Sequence, residues 1–186
     1  ILMKLETITQ RRVEAFDRRL IFQEKYLDHE KNLVYRVSLA GREYILKAHP
    51  IIDGKTEYLN REIEALKRLG HEKEFPELFE VYREGDGRSG LLKQFMPGRE
   101  ASRKKWNSNW SKRLSLLIQK AHYYGVSDLD IESRNLILCP KRKTLSLPDL
   151  DYAVFEGDVE PKDFEILKAE DFTKAKDLFG ERKNVA

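Results

Sequence analysis

The spacing of apolar residues changes several times along the chain, and each change predicts a different element. From Thr9 to Leu20 the positions Val13, Phe16 and Leu20 fall at helical spacing, which predicts a short amphipathic helix ahead of the first strand. Leu20 to Leu27, Leu33 to Leu39 and Arg42 to Ala48 read as three strands, the second and third joined by a hairpin turn at Ala40-Gly41. Asp53-Gly54 breaks this β-meander. Thr56 is a candidate cap, and Glu57 to Leu69 carries Leu59, Ile63, Leu66 and Leu69 on one helical face before Gly70 ends the segment. Leu78 to Arg83 and Leu91 to Met96 read as strands around a turn-rich stretch from Glu84 to Gly90, and Pro97-Gly98 stops the second. Ser111 to Tyr124 presents Leu114, Leu117, Ile118 and Ala121 on one face and ends at Gly125. A polar loop, a hairpin from Leu136 to Leu138 and Leu145 to Leu147, and a charged helical tail holding Phe164, Leu167, Phe172 and Leu178 follow.

This order predicts an α+β chain in which a small antiparallel sheet with one helix precedes a reduced, mainly helical part. The expected arrangement is one two-lobed domain over 1–186, with a first lobe of about 1–96, a hinge near 94–98, a second lobe of about 99–186 and a cleft between the lobes. Composition narrows the class further. Hydrophobic residues at 40% and charges at 36%, finely mixed rather than segregated into an acidic tail or a basic arm, argue against disorder, and a net charge of +3 is too small to imply nucleic acid by itself. The abundant Lys and Glu resemble the surface chemistry of proteins from hot environments. The single Cys139 excludes an intramolecular disulfide and has no partner at metal-ligand spacing, so a reducing, cytoplasmic setting is expected. No apolar run approaches the ~20 residues of a membrane span. Ile1 to Gln10 lacks a signal-peptide core, and Met3 reads as the native start. The basic region at 103–113, with Trp106 and Trp110, is a candidate docking surface for an anionic partner such as RNA or a lipid-linked sugar; its alternative is a solvated edge.

Four stretches carry polar residues on elements suited to phosphoryl transfer. Tyr44-Ile45-Leu46-Lys47-Ala48 alternates so that Lys47 shares a face with Ile45, which would bury an ammonium that then needs a partner. On the next helix either Glu62 or Glu64 is available, and the inward face of Leu59, Ile63 and Leu66 favours Glu62. Asp130 and Asn135 are separated by four residues in a polar loop that runs directly into an apolar strand. After the returning strand comes Asp149 in Pro148-Asp149-Leu150-Asp151-Tyr152, a carboxylate suited to a hard cation such as magnesium.

In chain order these positions resemble the protein-kinase-like superfamily, with its strand lysine, helix glutamate, catalytic-loop aspartate and asparagine, and metal-binding aspartate. The stretch from Gly125 to Leu138, with Asp149-Leu150-Asp151-Tyr152-Ala153, is similar to the small atypical members: lipopolysaccharide-core and Kdo kinases, and RIO-type and KEOPS-complex kinases. The resemblance spans roughly 20–154 and implies a protein-kinase-like fold that uses ATP and Mg2+. It implies that Lys47 holds the α and β phosphates with Glu62 as its partner, and that Gln94 and Met96 contact the adenine. Asn135 and Asp149 would hold the metal, and Asp130 would act as the catalytic residue. The γ-phosphate would pass to a hydroxyl on a protein or a sugar or lipopolysaccharide-type substrate.

Several positions depart from the family pattern. Asp28-His29-Glu30-Lys31-Asn32, where a glycine-rich loop usually covers the phosphates, has no glycine. Asp128 replaces the histidine two residues before the catalytic aspartate, and Asp151 stands where the metal motif usually has glycine. No peptide-docking motif follows Asp149. For Asp171 and Asp177 the resemblance offers a hydrogen bond to the catalytic-loop backbone, with a solvated helix face as the favoured reading of each; His49, His71 and His122 read as structural or surface residues, and Cys139 as a small core residue. These departures support an alternative function, a non-catalytic pseudokinase that serves as a nucleotide-binding or scaffolding module.

Overall fold

A computed structural model describes residues 9–28, 33–50, 56–85, 88–101, 108–139 and 143–179. The glycine-free stretch 29–32 and residues 103–107 of the basic region lie outside them. The fold is α+β. The described chain divides into two compact units, one of residues up to 63 together with 77–95, the other of 64–76 and the residues from 96 on.

The first unit is built on a five-stranded antiparallel sheet. Its strands are β1 (Ile21–Asp28), β2 (Leu33–Leu39), β3 (Arg42–Pro50), β4 (Leu78–Gly85) and β5 (Arg88–Gln94), in the order β1-β2-β3-β5-β4. Residues 40 and 41 close the β2–β3 hairpin with φ of 50° and 78°, the left-handed pair that a two-residue turn between twisted strands requires. Leu33, Tyr35, Val37, Tyr44, Leu46, Ala48 and Leu92 form the core on one face of the sheet, together with Val13 and Leu20. The opening helix α1 covers 9–14 and stops earlier than its periodicity predicts. Asp17 accepts the amide of Arg19 at 2.8 Å, so a side chain supplies the turn where a further helical bond would have formed. Val13 and Leu20 are nonetheless fully buried and Phe16 packs against them, so the apolar spacing serves a helix followed by a turn.

The turn-rich reading of residues 84–90 is also corrected, because β4 and β5 continue through it until Gly85 pairs with Arg88. Gly90 is a strand glycine. A Cβ there would lie 3.1 Å from the Phe16 ring and 3.2 Å from the Lys47 carbonyl oxygen, so the residue is small to admit a close neighbour. Met96 lies beyond the end of β5.

Helix α2 (Thr56–Leu69) contains the boundary between the units and closes with the Gly70 amide donating to the Leu66 carbonyl at 2.7 Å. In the second unit β6 (Arg99–Glu100), helix α3 (Ser108–Tyr123) and β7 (Val126–Ser127) lead into a 3-10 turn at Ser133–Asn135. There follow β8 (Ile137–Cys139), β9 (Thr144–Ser146), β10 (Val154–Phe155) and helix α4 (Pro161–Phe179). One small sheet has the order β6-β8-β9 and another pairs β7 with β10. Gly98 precedes β6 because a Cβ there would meet the Leu138 carbonyl oxygen at 2.5 Å. Lys120 of α3 reaches Glu72 and Glu74 at 2.7 and 2.8 Å, and Glu74 accepts the Leu147 amide at 3.0 Å, which ties 70–76 into this unit. Leu114, Leu117, Ile118 and Ala121 of α3 are fully buried, as their spacing predicts. No described helix is long and apolar enough to cross a membrane.

Candidate functional site

In the first unit the chemistry centres on a buried carboxylate. Because side chains alternate along β3, Tyr44, Leu46 and Ala48 enter the core, while Ile45 and Lys47 project from the other face of the sheet. Ile45 is directly opposite Lys93 of β5, so Lys93 projects from that same face. Glu62 of α2 meets both lysines. Its Oε2 lies 2.9 Å from Lys47 Nζ, and its Oε1 accepts from Lys93 Nζ. Glu62 is fully buried, and Lys47 and Lys93 are 5% and 4% exposed. Glu64, the alternative partner, turns instead to Arg68 at 3.1 Å. Burying three charges is costly unless their geometry is good, so this cluster is an expensive way to fill a core. Lys93 is absent from the sequence-based expectation, although a lysine inside the apolar run Leu91-Leu92-Lys93 signals a buried polar contact. Gln94 closes β5 with an exposed side chain and its amide donating to the Glu77 carbonyl at 2.9 Å, and Met96 is half-buried.

In the second unit the loop between β7 and β8 carries the polar residues. Asp128 and Asp130 both take left-handed φ, 54° and 45°, while Leu129 between them is fully buried. Such backbone costs about 1–2 kcal/mol at each non-glycine residue, so the surroundings must hold it in place. Asn135, at the end of the 3-10 turn, donates Nδ2 to the Asp130 carbonyl at 3.1 Å and to Asp130 Oδ2 at 2.6 Å. That bond orients the carboxylate and makes Oδ1 the atom Asn135 can offer a cation. The Leu129 amide donates to Asp171 Oδ1 at 2.9 Å.

Asp171 therefore takes the loop-backbone contact that the sequence left as its alternative, not the favoured solvated face: it is fully buried on α4, and its Oδ2 lies 2.9 Å from His122 Nε2. The expectation failed because α4 is charged all round, so its pattern alone does not separate inward from outward carboxylates. Asp128, for its part, meets Lys174 of α4 at 2.8 Å. Beyond β9 the chain turns between buried Leu147 and Leu150, leaving Asp149 and Asp151 half-buried with a carboxylate oxygen each within 4.8 Å of one another. Oxygen donors of this kind suit a hard divalent cation. Cys139 ends β8 half-buried.

The two units thus hold different chemistry. One presents a carboxylate that fixes two ammonium groups; the other presents an oriented aspartate–asparagine pair and two neighbouring carboxylates. The sequence has no match among models of known protein families, and a comparison with curated proteins likewise finds none.

Proposed function

We propose that the chain is a protein-kinase-like phosphotransferase of the small atypical kind, using ATP and magnesium to phosphorylate a hydroxyl. The observation that carries this reading is the fully buried Glu62 held by the strand lysine Lys47 at 2.9 Å. A buried ion pair adds little net stability over a hydrophobic replacement, so its presence points to a task for the ammonium beyond packing. That task is to orient the α and β phosphates, with Glu62 limiting where the lysine can go. Asn135 through Oδ1 and Asp149 through its carboxylate would hold magnesium, with Asp151 as a further oxygen donor nearby. When bound, magnesium would neutralise charge on the phosphate oxygens. Asp130, oriented by Asn135, would align the acceptor hydroxyl and take its proton. Because the transferring phosphoryl group has loose bonds in the transition state, positioning supplies most of the rate.

The first test is thermal unfolding with ATP. A ligand that binds only the folded protein stabilises it by about 2.7 kcal/mol at a hundred times its Kd. An upward shift of the midpoint that needs both ATP and magnesium is expected; no shift at millimolar concentrations of both would discard the reading. The glycine-free stretch 28–32 favours a nucleotide-sensing pseudokinase as the second reading. Release or transfer of labelled γ-phosphate separates an enzyme from such a sensor.

A further inference from the structure

We propose that Lys174 is a positioning residue, whose ion pair with Asp128 fixes the backbone turn from which Asp130 is presented. This rests on the role given to Asp130 above and extends it to the helix behind the loop. Asp171 and Lys174 are three residues apart on α4 and so share a face of that helix. From that face α4 takes hold of two successive loop residues: Asp171 accepts the Leu129 amide at 2.9 Å, and Lys174 binds the Asp128 carboxylate at 2.8 Å. Asn135 grips the next residue, Asp130, at both its carbonyl and its carboxylate. The two left-handed residues of the loop are thus each held by a side chain from outside the turn, with the buried Leu129 amide anchored between them.

The pair also does electrostatic work. Lys174 sets a positive charge against the Asp128 carboxylate, two residues before Asp130, so the charge of Asp128 is balanced within the turn. Burial pulls the Lys174 ammonium down, but its hydrogen bond to Asp128 and the fields of Asp128, Asp171 and Asp130 outweigh this and raise its pKa. Asp130 is therefore within its electrostatic reach.

The Lys174 and Asp128 side chains are 36% and 30% exposed, and an ion pair in that environment contributes little to global stability. Lys174→Met is therefore expected to unfold almost as the parent does while losing turnover. The experiment measures γ-phosphate release at varied Mg-ATP for the full chain, alongside amide hydrogen exchange at Leu129. In Lys174→Met, kcat should fall about ten-fold or more with KM for ATP changed less than about two-fold, the signature of a group acting beyond ground-state binding. Lys174→Arg should restore kcat, and the swap Asp128→Lys with Lys174→Asp should recover more than either single change. Leu129 exchange should quicken about ten-fold in Lys174→Met at unchanged global stability. An active parent whose kcat is untouched by Lys174→Met overturns the proposal. If the parent releases no phosphate, the phosphotransferase reading fails; Leu129 exchange then decides alone, with quickening supporting the clamp and no change refuting it.

Discussion

Glu62→Ala is expected to lower the unfolding free energy by about 3–5 kcal/mol, the usual cost of removing one partner from a buried ion pair. The carboxylate is fully buried and contacts both Lys47 and Lys93, so its loss removes a counter-charge from two ammonium groups that water barely reaches. Glu62→Gln should cost less, since an amide oxygen still accepts a hydrogen bond although the charge is gone. Replacing the whole cluster by Lys47→Met, Glu62→Leu and Lys93→Met should recover much of the lost stability, because well-packed apolar side chains often match a buried ion pair. Urea denaturation followed by tryptophan fluorescence reads all three. A loss below about 1 kcal/mol for Glu62→Ala would mean that the cluster is better hydrated than its burial indicates. The triple variant should also lose any Mg-ATP stabilisation, which separates the energetic role of the cluster from the binding role proposed for it.

Asp130→Asn should reduce phosphate transfer by about 10²–10⁴-fold while leaving stabilisation by Mg-ATP nearly intact. The replacement is isosteric, and its side-chain oxygen can still accept from Asn135 Nδ2, so the geometry of the loop survives. What would disappear is the proposed capacity to take a proton from an acceptor hydroxyl. Asn135→Ala should have the complementary effect: it removes a proposed metal donor and the orienting bond together, so magnesium-dependent stabilisation falls along with turnover. Equal turnover by Asp130→Asn and the parent would remove Asp130 from the chemistry. Single-turnover phosphate release and thermal midpoints are the two measurements required.

How much of this could be read from the chain depended on whether each feature had a period. The β-meander and α2 were legible because their apolar residues alternate or recur at helical spacing over seven or more residues. The meeting of Glu62 with Lys47 was legible for the same reason, since Leu59, Ile63 and Leu66 define the buried side of the helix. The two-residue strands β6, β7 and β10 are too short to show alternation, and only tertiary pairing defines them. Gly90 was misread because a glycine in a polar stretch signals a turn, whereas here its missing Cβ makes room for Phe16. Lys174 and Lys93 were missed, and the loop contact of Asp171 ranked below a solvated face, because these roles depend on partners 31–46 residues away, a distance at which sequence spacing carries no information.

The β2–β3 hairpin has a practical consequence far from these charges. Ala40 is exposed yet adopts φ of 50°, a conformation that asparagine and glycine tolerate better than alanine, whereas Gly41 beside it already suits its place. Ala40→Asn should therefore recover about 1 kcal/mol, visible as a higher denaturation midpoint with an unchanged response to Mg-ATP. A reserve of that size would provide a sturdier parent in which damaging substitutions such as Glu62→Ala can be purified and assayed in the folded state.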